Sequence, residues 1–74
     1  MAAQKALERG RAVKAVELAK QCTDMDPTHA YAWLLMGAAY QELGKRDLAR
    51  EAFNACVQKG KGRGRNECRQ MGGR

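Results

Sequence analysis

The side chains best suited to hold a metal or attack a substrate are scarce in this chain, which contains three cysteines and one histidine. Cys22, Cys56 and Cys68 form no CxxC pair, and His29 has no second histidine to share a helix face with. Structural zinc sites usually draw on such local pairs. The sequence therefore predicts no metal site and no bound cofactor.

Catalysis is equally unsupported by the residue pattern. Nucleophilic or acid–base catalysis needs a nucleophile, a base and a group that orients the base. His29 stands at the predicted start of a helix, and no such set can be built around it. We expect the protein not to be an enzyme.

The third candidate for chemistry is the basic segment KGKGRGRNECRQMGGR, residues 59–74, which carries most of the net charge of +6. Glycines alternate with cations at its start, a composition typical of a flexible connection. Three interpretations stay open: a solvated terminus, an arm that binds phosphates of a polyanion, and a contact for an acidic protein. The polyanion contacts would come from Lys59, Lys61, Arg63 and Arg65.

Nucleic acid is not the favoured partner of this segment. No aromatic residue lies among the cations to stack on bases. No predicted strand precedes the glycines, as a phosphate-binding loop would require.

The elements that position these residues are helical. Hydrophobic residues make up 45% of the chain, too many for a disordered protein, and there is a single proline. The sequence predicts an all-α fold of antiparallel helices over 2–9, 12–24, 29–43 and 46–58, with a short C-terminal capping helix over 66–71.

Helix ends are predicted from local signals. Gly10 and Gly44 should end the first and third helices. Pro27 interrupts the chain, and Thr28 and Asn66 are the expected N-caps of the helices that follow them. The inward-facing residues of the second and fourth helices should be Val13, Val16, Leu18, Ala19 and Cys22, and Leu48, Ala49, Ala52, Phe53, Cys56 and Val57.

A repeat of 34 residues relates the two halves of the chain. It superimposes Gly10 on Gly44, Ala15 on Ala49 and Cys22 on Cys56. A helix–turn–helix unit of this period resembles the tetratricopeptide repeat (TPR), whose pattern is W-x2-L-G-x2-Y, then A-x3-F, then P. The matching residues are Trp33, Gly37, Tyr40, Ala49 and Phe53, with Met36 in place of leucine and Pro27 closing the first unit.

The resemblance implies two TPR-like units over residues 1–58: a truncated first unit, 1–27, and a full unit, 28–61, followed by the basic tail 59–74. Lys61 stands where the second unit should carry its proline. We expect Gly37 and Ala49 to let paired helices come close, with Trp33, Tyr40 and Phe53 as bulky fillers. The truncated unit suggests that this chain is a piece of a larger protein. We expect the isolated chain to self-associate or to be closed by the last helix.

By this resemblance, the function is protein recognition in a concave groove. Its expected lining is the exposed stripe of the 29–43 helix: Tyr31, Leu34, Leu35, Ala38, Gln41 and Glu42. One TPR subgroup clamps a partner's C-terminal carboxylate with Lys and Asn on this stripe. Here Leu34, Leu35 and Ala38 stand there instead, so a hydrophobic or amphipathic peptide is the better fit. The alternative is that Leu34 and Leu35 only pack on a neighbouring repeat.

Two further expectations concern cysteines and location. Cys22 and Cys56 recur in the repeat and fit small buried core residues, whereas Cys68 would pair with Cys56 only in an oxidising compartment. The sequence contains no run of 18 apolar residues, so it predicts no membrane span. We expect a cytoplasmic protein-binding scaffold, with polyanion binding by the basic segment as the alternative function.

Overall fold

The structure is a computed structural model that describes residues 2–62 and 64–72, with side chains through Gln70. Its five helices are α1 (Ala2–Glu8), α2 (Ala12–Met25), α3 (Ala30–Glu42), α4 (Arg46–Lys59) and α5 (Arg65–Gly72). Each helix packs against the next along the chain. The predicted all-α class and the five helices are confirmed, with each end within one or two residues of the expected position.

The helix-ending glycines show the 34-residue repeat at the level of hydrogen bonds. Gly10 and Gly44 adopt φ values of +74° and +75°, a region that favours glycine. The amide of Arg11 donates to the carbonyl of Ala6 at 2.8 Å, and 34 residues later Lys45 donates to Tyr40 at 2.9 Å. Both turns thus close by the bond that defines the Schellman motif.

The core is built largely from alanine, which brings helices close together. Alanines with at most 3% exposure occur on every one of the first four helices, namely Ala3, Ala15, Ala19, Ala30, Ala32, Ala39, Ala49 and Ala52. Phe53 is the one large ring among the most buried side chains. The core therefore depends on close backbone approach more than on bulky side chains.

At Gly37 the ring of Phe53 from α4 lies directly against the backbone of α3. A Cβ atom built on Gly37 would lie 2.7 Å from both Cδ1 and Cζ of Phe53. Carbon atoms in favourable contact stand about 3.5–4.0 Å apart. The ring of Phe53 occupies the space that any side chain at position 37 would need, as the pattern predicts.

Two residues predicted to face inward do not. Val13 is 60% exposed and Leu48 is 38% exposed. Both lie in the first turn of their helix, beside a hairpin turn, where the next helix does not reach. Cys22, also predicted to be buried, is only half-buried.

The helices are arranged in two layers. Helix α3 approaches both α1 and α5, so these three helices form one layer. Helices α2 and α4 form the other layer, yet in the described part of the chain they make no close approach to each other. Within the described residues, α3 thus joins the helices of its own layer, whereas the two helices of the other layer stay apart.

Candidate functional site

The predicted groove residues lie on α3, the helix that packs beside both α1 and α5. Tyr31 and Leu34 are half-buried and pack against core clusters with one side. Ala38 is half-buried, and Gln41 and Glu42 are exposed. We name these five residues the α3 stripe.

Leu35 does not belong to this stripe, and its predicted place in the groove is wrong. It is 6% exposed and shares a buried cluster with Ala3 of α1 and Ala19 of α2. Although α1 has only seven residues, it lies over the side of α3 that carries Leu35. Leu34, by contrast, keeps part of its surface accessible.

Sequence reasoning missed the part of the surface that α1 supplies. The 34-residue register places Gln4, Leu7 and Glu8 at the positions of Ala38, Gln41 and Glu42. Gln4 and Leu7 are half-buried, and Glu8 is exposed and accepts a hydrogen bond from Gln4 at 3.2 Å. Applying the repeat to the first unit would have found these residues.

Trp33 and Tyr40 fix α3 from the side and act structurally, as expected. Both are half-buried and contact the two clusters that lie on either side of α3. The indole Nε1 of Trp33 donates to the carbonyl of Pro27 at 2.8 Å. These contacts hold α3 to the loop that precedes it.

The N-terminus of α3 is capped by His29, and the prediction of Thr28 as the cap is wrong. His29 Nδ1 accepts from the amide of Ala32 at 3.2 Å. The Thr28 hydroxyl and amide donate instead to Asp26 Oδ1, at 2.7 and 3.1 Å. The Thr28 hydroxyl, followed by its amide, lowers the pKa of Asp26 because both bonds favour the carboxylate.

The basic segment is packed against the fold from its start, so the predicted flexible connection is wrong. The amide of Lys61 donates to the carbonyl of Thr28 at 2.8 Å, and His29 and Lys61 form an isolated parallel bridge. Gly60 and Gly64 are buried against Ala30 and Tyr31, where added Cβ atoms would lie 2.7 and 3.1 Å from α3 atoms. The glycines therefore allow the loop to lie on α3.

Two of the four cations proposed to bind a polyanion have partners within the protein. Lys59 Nζ lies 5.8 Å from the ring centroid of Trp33, a distance typical of a cation–π contact. Arg65 Nε donates to the carbonyl of Val57 at 3.1 Å. Lys61 is exposed, and Arg63 lies outside the described residues. The described cations do not form one free cluster.

Helix α5 covers the end of the core formed by α3 and α4. It begins at Arg65, so Asn66 lies inside the helix and is not its N-cap as predicted. Cys68 is bonded to Cys56 with a Cα–Cα distance of 6.0 Å. The expectation of reduced core cysteines is thus wrong for this pair, whereas Cys22 is free.

Residues that could hold a metal do not cluster in the described part of the chain. Within the same residues, no helix is long and apolar enough to cross a bilayer. What the geometry offers is a shallow surface with apolar side chains at one end of the stripe and polar ones at the other.

Comparison with known proteins agrees with this architecture. A family model described as tetratricopeptide repeat matches residues 6–63. The matched range begins within α1 and ends after α4, so it includes α2, α3 and α4 in full. No curated protein and no solved structure gave a match.

Proposed function

Because the chain belongs to the tetratricopeptide repeat family, whose members generally mediate protein–protein interaction, we propose that it is a non-catalytic binding module. Its ligand is a hydrophobic or amphipathic segment of a partner protein, bound along the α3 stripe. The proposal is supported by the position of α3, which packs beside both α1 and α5 and leaves part of the α3 stripe accessible.

The chemistry of the stripe supports an amphipathic ligand. Tyr31 and Leu34 keep part of their apolar surface accessible at the start of α3, and the small side chain of Ala38 leaves room beside them. Gln41 and Glu42 follow on the same side, with Glu8 of α1 as a second carboxylate in the equivalent position. A segment with apolar anchors followed by a polar or basic end would complement this order.

A displayed library of random peptides, selected on the full chain, tests the proposal. Selected peptides should lose binding to Ala38→Glu, which puts a large charged side chain at the centre of the stripe. The matched control is Asn54→Glu, which adds the same charge at an exposed position on α4. Circular dichroism should show that both variants keep their helicity.

Equal loss of binding in both variants would contradict the proposal, since it would indicate a general charge effect. Peptides that bind both variants as well as the wild type would place recognition elsewhere. Leu34→Glu is a poorer probe, because Leu34 also packs against the buried cluster of Ala30 and Phe53.

A further inference from the structure

The disulfide between Cys56 and Cys68 ties α5 to the end of the repeat array. Both cysteines are fully buried, and they share a cluster with Ala30, Ala49 and Phe53. Cys56 Sγ also lies 3.2 Å from the carbonyl oxygen of Ala30 at the start of α3. The bond thus joins α5 to the surface where α3 and α4 meet.

Among the side chains described in α5, Cys68 is the one that is buried. The residues of α5 from Arg65 to Gln70 are all exposed except Cys68. It has eight residues, whereas isolated helices in water need about 12–15 residues to be even marginally stable. The outer contact of Arg65 with the carbonyl of Val57 is solvent-exposed and can be replaced by water.

The loop that leads to α5 is attached to the fold independently of α5. The amide of Lys61 donates to the carbonyl of Thr28, and Gly64 lies against Tyr31, so Lys61 and Gly64 are attached to α3 and to the loop before it. A release of α5 can therefore start at Gly64 and leave the rest of the array intact.

We propose that α5 is a redox-controlled cap, which the Cys56–Cys68 bond holds over the end of the core and which leaves when that bond is reduced. A dithiol reductant supplies the two electrons and two protons. One of its thiolates attacks a sulfur of the bond and forms a mixed disulfide, and the other Cys sulfur leaves as a thiolate and is protonated. The second thiol of the reductant then closes its own disulfide and releases the second cysteine as a thiol.

The size of the effect follows from the segment that the bond restrains. The two cysteines are 12 positions apart, but because the preceding loop keeps its own attachment, the segment freed on release runs only from Gly64 to Cys68. Closing a loop of about four residues favours the docked state by about 20-fold in the chain-entropy description. Reduction should remove that factor. The surface that Cys68 covers, next to Ala30 and Phe53, then becomes accessible together with the Cys56 thiol. This device goes beyond peptide binding and does not depend on it.

Hydrogen–deuterium exchange of the full chain, oxidised and after dithiothreitol, tests the proposal. Protection of amides in 68–72 should fall by about 20-fold on reduction, whereas amides of α3 from Leu35 to Ala39 keep theirs. Cys68→Ser should lack the protection of α5 in both conditions. Cys22→Ser should respond like the wild type, because Cys22 is free.

Two results would overturn the proposal. If α5 is equally protected in the oxidised and reduced protein, the bond does not control the cap. If α3 loses protection together with α5, the bond stabilises the whole fold and does not act on a separate cap.

Discussion

The contact between Gly37 and Phe53 makes a prediction that runs against helix propensity. Alanine in a helix interior is about 1 kcal/mol more favourable than glycine. At position 37, however, the added methyl group would lie 2.7 Å from two ring atoms of Phe53, about 1 Å too close. Phe53 is 2% exposed, so its ring cannot turn into solvent.

Overpacking of a close-packed core costs roughly 1–3 kcal/mol, and a clash with several atoms of a buried ring belongs at the upper end. Setting about 3 kcal/mol against a propensity gain of about 1 kcal/mol, we expect Gly37→Ala to lower the free energy of unfolding by about 2 kcal/mol. For a domain of this size that is a fall in Tm of roughly 10 °C. Gly37→Leu should prevent folding altogether.

Urea unfolding followed by circular dichroism measures the effect, and a double-mutant cycle with Phe53→Leu identifies its cause. When the ring is replaced by the more adaptable leucine, Gly37→Ala should become neutral or stabilising. The exposed Asn54→Ala on α4 serves as the control for propensity alone. If Gly37→Ala stabilises the wild-type background by about 1 kcal/mol, the close contact does not constrain this position and the reasoning fails.

Two further predictions concern the loop before α3. Thr28→Val should raise the pKa of Asp26 towards its ordinary value in a carboxyl NMR titration, whereas Thr28→Ser should leave it lowered, because only the serine keeps the donating hydroxyl. Since the folded pKa lies below the unfolded one, the stabilisation from this bond is present above the unfolded value and is lost as the pH falls through the folded value. Trp33→Phe removes the donor to the carbonyl of Pro27 and should cost about 1 kcal/mol in urea unfolding; an unchanged midpoint would mean that water replaces the indole at no cost.

The parts of the fold that were predictable are those written in local sequence or in the repeat. Gly10 and Gly44 marked two helix ends because a left-handed residue after a helix is almost always glycine. The pattern of Trp33, Gly37 and Phe53 placed the crossing of α3 and α4. Both kinds of information are present in the spacing of residues along the chain.

Two predictions were wrong because they depended on partners that the local sequence does not reveal. Thr28 is a good N-cap by residue type, but Asp26 accepts its hydroxyl, and His29 takes the cap position. Leu35 looked exposed because its burial depends on how α1 lies over α3, which the spacing within α3 does not reveal.

The last part of the chain was misjudged for a related reason. Glycines between cations are typical of a flexible linker, yet Gly60 and Gly64 are glycines because the loop lies on the backbone of α3. Likewise, cysteine spacing alone did not decide between a bonded and a reduced Cys56. The three-dimensional position of α5 decides it.

The position of Trp33 also has a practical consequence. It is the only tryptophan of the chain, and its indole touches the loop before α3, the cation of Lys59 at the end of α4, and two core clusters. Its fluorescence therefore originates at the junction of the two repeats. The protein carries a built-in optical reporter for the docking of one hairpin on the other, and no label needs to be attached.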